Sequence, residues 1–173
     1  MEVFRGLHFF VQNCINIDMT QLTDNFNMLS PTGFRVTIES PKFSNLEYFI
    51  TTVNLPAITL PEVESGFKNY QGFVAGDTLA YDALEVEFLI DEDMKNYSEV
   101  FNWMKSNADE TRAAKHDIIL SILSSHNNVN KQIRFANALP ISLGGAEFTT
   151  QATDVEYMRG NISFRYDYFE IIK

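Results

Sequence analysis

Residues 51–103, TTVNLPAITLPEVESGFKNYQGFVAGDTLAYDALEVEFLIDEDMKNYSEVFNW, limit the fold more than any other part of the chain. Leu55-Pro56 and Leu60-Pro61 bracket a stretch that cannot be helical, because each proline drives the residue before it out of the α region. Leu84, Val86, Phe88 and Ile90 then alternate with Glu85 and Glu87, the period of a strand buried on one face. Between these parts lies a glycine-punctuated loop that carries Phe67, Tyr70 and Phe73. After the strand, Tyr97, Val100, Phe101 and Met104 fall at helical spacing, with Trp103 beside them, which predicts an amphipathic helix plugging the core of a body made of strands. Asp91 or Asp93 is placed to cap that helix, since a carboxylate suits the free N–H groups of a first turn.

The rest of the chain continues in strands. Phe34, Val36 and Ile38 alternate with Arg35, Thr37 and Glu39 in a strand that Pro41 ends, and residues 46–53 read as a second. Residues 117–124 read as a buried strand, His126-Asn127-Asn128 as a turn, and residues 131–138 as the hairpin partner. A strand near 139–143, a Gly144-Gly145 turn and a long last strand over 161–172 follow. In that strand Ile162, Phe164, Tyr166 and Tyr168 share a face before Phe169 and Ile171 take the other, which predicts a bulge near Tyr168. At 173 residues and 45% hydrophobic content the chain suffices for one domain with a real core. The expected fold is mainly β: an antiparallel β-barrel or sandwich of about seven or eight strands with one packed α-helix. The turn cluster Ser30-Pro31-Thr32-Gly33 separates an N-terminal arm, 1–32, from this body, 33–173. Phe4, Leu7, Phe9, Phe10, Val11, Ile15, Ile17, Phe26, Met28 and Leu29 are too many apolar residues for a freely solvated tail, so the arm is expected to dock on the body or on a neighbour.

Charge excludes one class of partner. A net charge of −10 opposes a protein that grips nucleic-acid phosphates, which needs clustered Lys and Arg. Nine carboxylates lie between Glu62 and Asp93 against the single base Lys68. The plain reading is a solvated acidic face; the functional one is a channel wall that repels DNA, with Glu85 and Glu87 facing the channel. Apolar runs such as 118–123 fall far below the roughly 20 residues of a membrane-spanning helix, and the N-terminus lacks the marks of a signal peptide.

No set of residues spells out a reaction. His8, His116 and His126 lie far apart and read as surface or turn histidines, and Cys14 is a lone thiol. Asp91-Glu92-Asp93 lacks the spacing of a calcium loop. The stretch 72–76, Gly-Phe-Val-Ala-Gly, lacks the lysine of a phosphate loop and reads as a flexible loop. No catalytic residue, metal or cofactor is therefore expected. What stands out is Phe67, Tyr70 and Phe73 in an otherwise polar loop, which an oligomer can bury against a neighbour while a monomer gains little unless they fold back on their own domain.

Leu55-Pro56-Ala57, Gly66-Phe67 and Val74-Ala75-Gly76-Asp77 precede the alternating strand and the helical Phe101-Asn102-Trp103. Ala138-Leu139-Pro140-Ile141, Phe148, Thr153-Asp154-Val155-Glu156-Tyr157 and the closing residues 164–169 follow in order. This succession, over about residues 33–172, resembles the tail-tube proteins of contractile-tailed bacteriophages. The resemblance implies a virion structural protein with no enzymatic activity, assembled in the host cytoplasm into rings, six subunits to a ring. The rings stack so that strands line a lumen through which DNA or a tape-measure protein passes without specific binding. Other tail, baseplate or sheath proteins are the implied partners. It also marks residues 65–79, including Phe67, Tyr70, Phe73 and Val74, as a subunit contact. The long apolar arm departs from the simplest tube pattern, which leaves a repeating tube subunit and a tube-end adaptor at the baseplate or head junction both open. A monomeric barrel holding a hydrophobic ligand is the more distant alternative.

Overall fold

The computed structural model describes residues 28–66, 68–109, 113–146, 148–150 and 157–172. Most of the arm therefore lies outside the described residues. The alternation at Phe34, Val36 and Ile38 becomes strand β1, Phe34–Ile38, with Val36 and Ile38 buried. Next, the residues expected to begin a second strand turn helical. Pro41 opens a 3-10 turn, Pro41–Phe43, which leads into helix α1, Ser44–Tyr48, and the strand β2 starts only at Ile50–Asn54. Proline's fixed φ suits a helical first turn, and the apolar pair Phe43 and Leu46 is set at helical spacing and buried. The described residues thus hold two α-helices where one was expected.

The middle of the chain forms β3, Ile58–Thr59; β4, Glu62–Gly66; β5, Gln71–Ala75; β6, Ala80–Tyr81; and β7, Leu84–Leu89. On β7 the expected face is buried: Leu84, Val86 and Phe88 are at most 1% exposed. Helix α2, Lys95–Asp109, follows. Its start is fixed by a reciprocal pair: Asp91 accepts from the Asn96 backbone N–H, and the Asn96 side chain accepts from the Asp91 N–H, both at 3.4 Å. Asn96 is fully buried, donates to the Leu89 carbonyl at 2.6 Å and accepts from Tyr97 N–H at 2.8 Å, so a polar side chain pins the helix to the end of β7. Asp93 instead pairs with Lys95 at the surface. Val100 and Trp103 face the core as expected, whereas Phe101 is 54% exposed and lies outside the buried stripe. Trp103 stacks on Phe43 with ring centroids 4.6 Å apart and donates its indole N–H to the Ala114 carbonyl at 2.8 Å.

Strand β8, His116–Leu123, turns at 125–127 into β9, Val129–Leu143; β10, Arg159–Arg165, and β11, Tyr168–Ile171, complete the chain. The two strands expected at 131–138 and 139–143 are one. β9 pairs with β8 and β11 along its first part and with β10 along its second. It bends between them at Asn137, whose φ of 56° is left-handed, a conformation asparagine tolerates better than most residues. Asp117 stabilises that bend by accepting from the Asn137 N–H at 2.9 Å while holding Arg134 in an ion pair. Pro140 sits opposite Phe164 where the β9–β10 register shifts, a site where a missing N–H costs least.

The main sheet runs β1-β8-β9-β10-β7-β2, with β11 beside β9. All of its pairings are antiparallel. Bent at β9, it is sandwich-like, and among the described residues it does not close into a barrel, because β1 and β2 are its two edges. The last strand changes partners between Arg165 and Tyr168, close to the expected bulge. Tyr166 is still buried, Tyr168 is 45% exposed, and Phe169 packs back on the core.

Candidate assembly surface

The glycine-punctuated loop is not a loop. β2 and β7 pair on the body, β3 pairs with β6 just beyond them, and β4 pairs with β5 farther still, so residues 57–82 extend the β2–β7 hairpin as a two-stranded ribbon. The Asp82 N–H donates to the Ala57 carbonyl at 3.2 Å and the Gly76 N–H to the Pro61 carbonyl at 2.7 Å, stitching the ribbon between its short ladders. Gly76 is required there, because a methyl group in its place would meet the Pro61 carbonyl oxygen at 2.5 Å. The stretch 72–76 lacks regular apolar spacing, and β5 forms because β4 supplies it with a partner of matched register.

The β4 and β5 strands pair only with each other, and two strands alone are marginal in water. Yet the ribbon and its flanks present Leu55, Ile58, Leu60, Val63, Tyr70, Phe73, Val74 and Leu79 to solvent, each at least 48% exposed. Val63 and Val74 face each other across the ladder, and Phe73 faces Glu64 one residue along. Because successive side chains point to opposite faces, the ribbon is apolar on both sides. Of the residues singled out from sequence, Tyr70 lies in the turn region, Phe73 and Val74 lie on opposite faces of β5, and Phe67 lies outside the described residues. They are therefore not one patch. Ile58, Leu60 and Val63 were missed in sequence; Ile58 and Leu60 carried a strand period between the two prolines, while Val63 beyond Pro61 had no such signal.

Glu85 and Glu87 stand on the face of β7 opposite the core. Across the ladders Glu85 meets Asn54 and Ser163, and Glu87 meets Thr52 and Asn161. Asn54 reaches the Glu85 carboxylate at 3.5 Å, and Thr51 donates to the Glu87 carbonyl at 3.3 Å. This outer face of β2-β7-β10 is short and polar, with Glu85 and Glu87 on β7 and Arg159 and Arg165 exposed at the ends of β10. Opposite it, on the inner side, Tyr166 packs beside Phe135 and Phe169 with a hydroxyl that finds no partner, and burial pushes its pKa up to about 12.

Among the described residues no catalytic arrangement emerges. A half-open cavity of about 340 Å³ lies between α2 and the Pro41–Phe43 turn, lined by Phe43, Glu99, Trp103, Ser106 and His116 among others. Ser106 spends its hydroxyl on the Trp103 carbonyl at 2.9 Å. His116, expected at the surface or on a turn, opens β8 and is half-buried, its ring edge-on to Phe43 and Trp103 at 5.6 and 5.2 Å. His126 is in the expected turn. Among the described residues no group of three or more His, Cys, Asp or Glu is placed to hold a metal ion, and no helix is long and apolar enough to cross a membrane. The body's interior is filled by Phe88, Phe135 and Phe164, each at most 2% exposed.

No protein-family model matches the chain, and no curated protein matches it in sequence. Solved structures do match. The sheath-tube complex of an extracellular contractile injection system, PVC, in its extended state contains a chain that superposes with a TM-score of 0.64 at 15% identity, over 89% of this chain and 97% of that one. The tube-terminating cap of the anti-feeding prophage gives 0.65 at 17%, over 90% and 99%. Hcp1 from Flavobacterium johnsoniae gives 0.52 at 12%, over 80% and 93%. The three share the fold of this chain.

Proposed function

We propose that this protein is a structural subunit of the tube of a contractile tail or injection system. It works by geometry: rings of subunits, six to a ring, stack into a conduit. The observation that carries this reading is the ribbon, which exposes apolar residues on both faces of a body with the tube fold. A monomer would leave them wet. Full burial of a side chain such as Phe73 or Val74 against a neighbour is worth about 2 kcal/mol, so a few per subunit, repeated around a ring, favour closure. The acidic outer face of β7 then suits a lumen, where Glu85 and Glu87 repel DNA and keep it mobile. In a phage the tube belongs to the virion tail, and sheath and baseplate proteins are its neighbours. A tube-end role is the second reading. It is favoured by the cap of the anti-feeding prophage, which matches as well as the tube-complex chain does.

The test is light scattering with negative-stain microscopy of the purified protein over a concentration series. Rings or tubes of uniform diameter are expected, long tubes for the repeating subunit and single rings for an end protein. The variant with Phe67, Tyr70, Phe73 and Val74 all changed to Ser is expected to stay folded and monomeric. Assembly of that variant at the wild-type concentration would remove the ribbon from the interface.

A further inference from the structure

Helix α2 carries Glu99, Trp103 and Ser106 at spacings of four and three, so the three share one face of the helix. That face and the Pro41–Phe43 turn enclose the half-open cavity of about 340 Å³, and His116 at the start of β8 lines it as well. Three rings gather there. Phe43 and Trp103 stack on one another, and the His116 ring stands edge-on to both. Burial of Phe43 and Trp103 in the core fixes the rings, so the cavity wall is rigid.

One acceptor in this wall is unmet. Glu99 Oε1 accepts from the Asn45 side chain at 2.6 Å, while Glu99 Oε2 is buried and has no hydrogen-bond partner. Leaving a buried carboxylate oxygen unpaired costs more than leaving a neutral acceptor so. Lys42 also lines the cavity, but it lies exposed, and among the described residues it makes no ion pair with Glu99. Ser106 gives its hydroxyl to the Trp103 carbonyl and leaves the carboxylate alone. The cavity thus sets a carboxylate oxygen in need of a donor beside a cluster of rings.

Both features select the same guest. A cation answers the carboxylate, and a flat, weakly hydrated cation also packs against aromatic rings. Guanidinium meets both demands with donors in a fixed fork, whereas an ammonium is a compact and strongly hydrated point charge. Free arginine would bring its own carboxylate to a chain of net charge −10, while an arginine within a polypeptide does not. We propose that this cavity is a socket for an arginine side chain of a partner protein, with Glu99 Oε2 accepting from the guanidinium and Phe43, Trp103 and His116 forming the wall it packs on. The socket shares no residue with the ribbon, and the inference stands whether or not the chain builds a tube.

Trp103 is the chain's single tryptophan, so its emission reports on the socket alone. The full chain is titrated with N-acetyl-arginine amide, and equilibrium dialysis gives a second readout should the emission stay silent. Saturable binding with a millimolar Kd is expected for one side chain taken out of its protein. N-acetyl-citrulline amide, which keeps the shape and loses the charge, should bind at least about tenfold more weakly, and so should the arginine derivative to Glu99→Gln. The substituted amide can still accept from Asn45, and the urea midpoint checks that the variant is folded; the citrulline comparison needs no variant at all. No binding by either readout at about 50 mM overturns the proposal. Equal binding of the citrulline derivative, or equal binding to folded Glu99→Gln, also overturns it, because the carboxylate would then play no part. N-acetyl-lysine amide binding as tightly would refute the choice of guanidinium, and free arginine binding more tightly would make the guest a small molecule instead of a partner's side chain.

Discussion

Replacing Gly160 by Ala isolates how tightly the two halves of the core fit. Gly160 pairs with Phe88 across β10 and β7, and a methyl group on it would lie 2.5, 2.6 and 3.2 Å from three carbons of the Phe88 ring. Ordinary carbon contacts lie near 3.5–4.0 Å, so the ring has to retreat by about 1 Å. It has nowhere to go, being fully buried and paired with Ile50 on its other flank. Overpacking of this kind costs about 1–3 kcal/mol, and replacing glycine in a strand interior returns about 0.5–1 kcal/mol of backbone entropy. The expected net loss is about 1–2 kcal/mol, seen in urea unfolding as a lower midpoint at an unchanged slope. Phe88→Leu removes the ring carbons that clash, so Gly160→Ala is expected to cost much less in that background. A Gly160→Ala protein with the wild-type midpoint, or two effects that add within about 0.5 kcal/mol, would refute the account.

Tyr166→Phe removes a buried hydroxyl without a partner and is expected to leave stability unchanged or raise it by about 1 kcal/mol; a clear loss would show that the hydroxyl is bonded. Because burial raises the Tyr166 pKa to about 12, its contribution is fully present below about pH 10, the unfolded value, and is lost as pH rises through the folded one, so the phenylalanine variant should resist alkali better. At Asp117, burial pushes the pKa upward, but the Asn137 N–H and Arg134 outweigh it and hold the carboxyl below its ordinary value. That contribution is present above about pH 4 and lost as pH falls through the folded pKa, so Asp117→Asn should be less stable at neutral pH and show a flatter acid-unfolding profile. A variant profile parallel to wild type from pH 5 to 2 would dismiss the pair. Glu85→Lys with Glu87→Lys should leave tube assembly intact and slow DNA delivery; delivery at the wild-type rate would take these carboxylates out of the lumen.

Strands whose two faces differ in polarity were legible from sequence, as β1, β7 and β10 show, because burial on one face writes a period of two into the chain, whereas β8 was legible as a short apolar run. Segments whose structure depends on a distant partner were not. β5 holds two glycine-flanked apolar residues with no period of its own and exists only through its register with β4. Residues 46–48 read as strand because Leu46, Tyr48 and Ile50 alternate, yet packing of Phe43 and Leu46 under α2 makes that stretch helical. The sequence reading split β9 between 138 and 139, and the strand runs on through Pro140 because the register shift opposite it spares a ladder bond. As for the surface, the aromatics at 70 and 73 stood out as rings without a core, but their placement on a ribbon rather than in one patch needed the pairing of β4 with β5. Asn96 gave no signal, since a buried amide that pins a helix looks like any polar helix residue.

The position of β10 governs when this protein can fold. It lies between β9 and β7, and its Ile162 and Phe164 sit at the centre of the core, yet it is made after β1 to β9. Until residues 159–165 leave the ribosome, the β2–β7 hairpin and the β1-β8-β9 strands are two half-layers with bare edges and no shared interior. Folding is then tied to late synthesis and to contacts far apart in sequence, which makes it slow. A chain broken off before β10 has no finished body from which to present its ribbon.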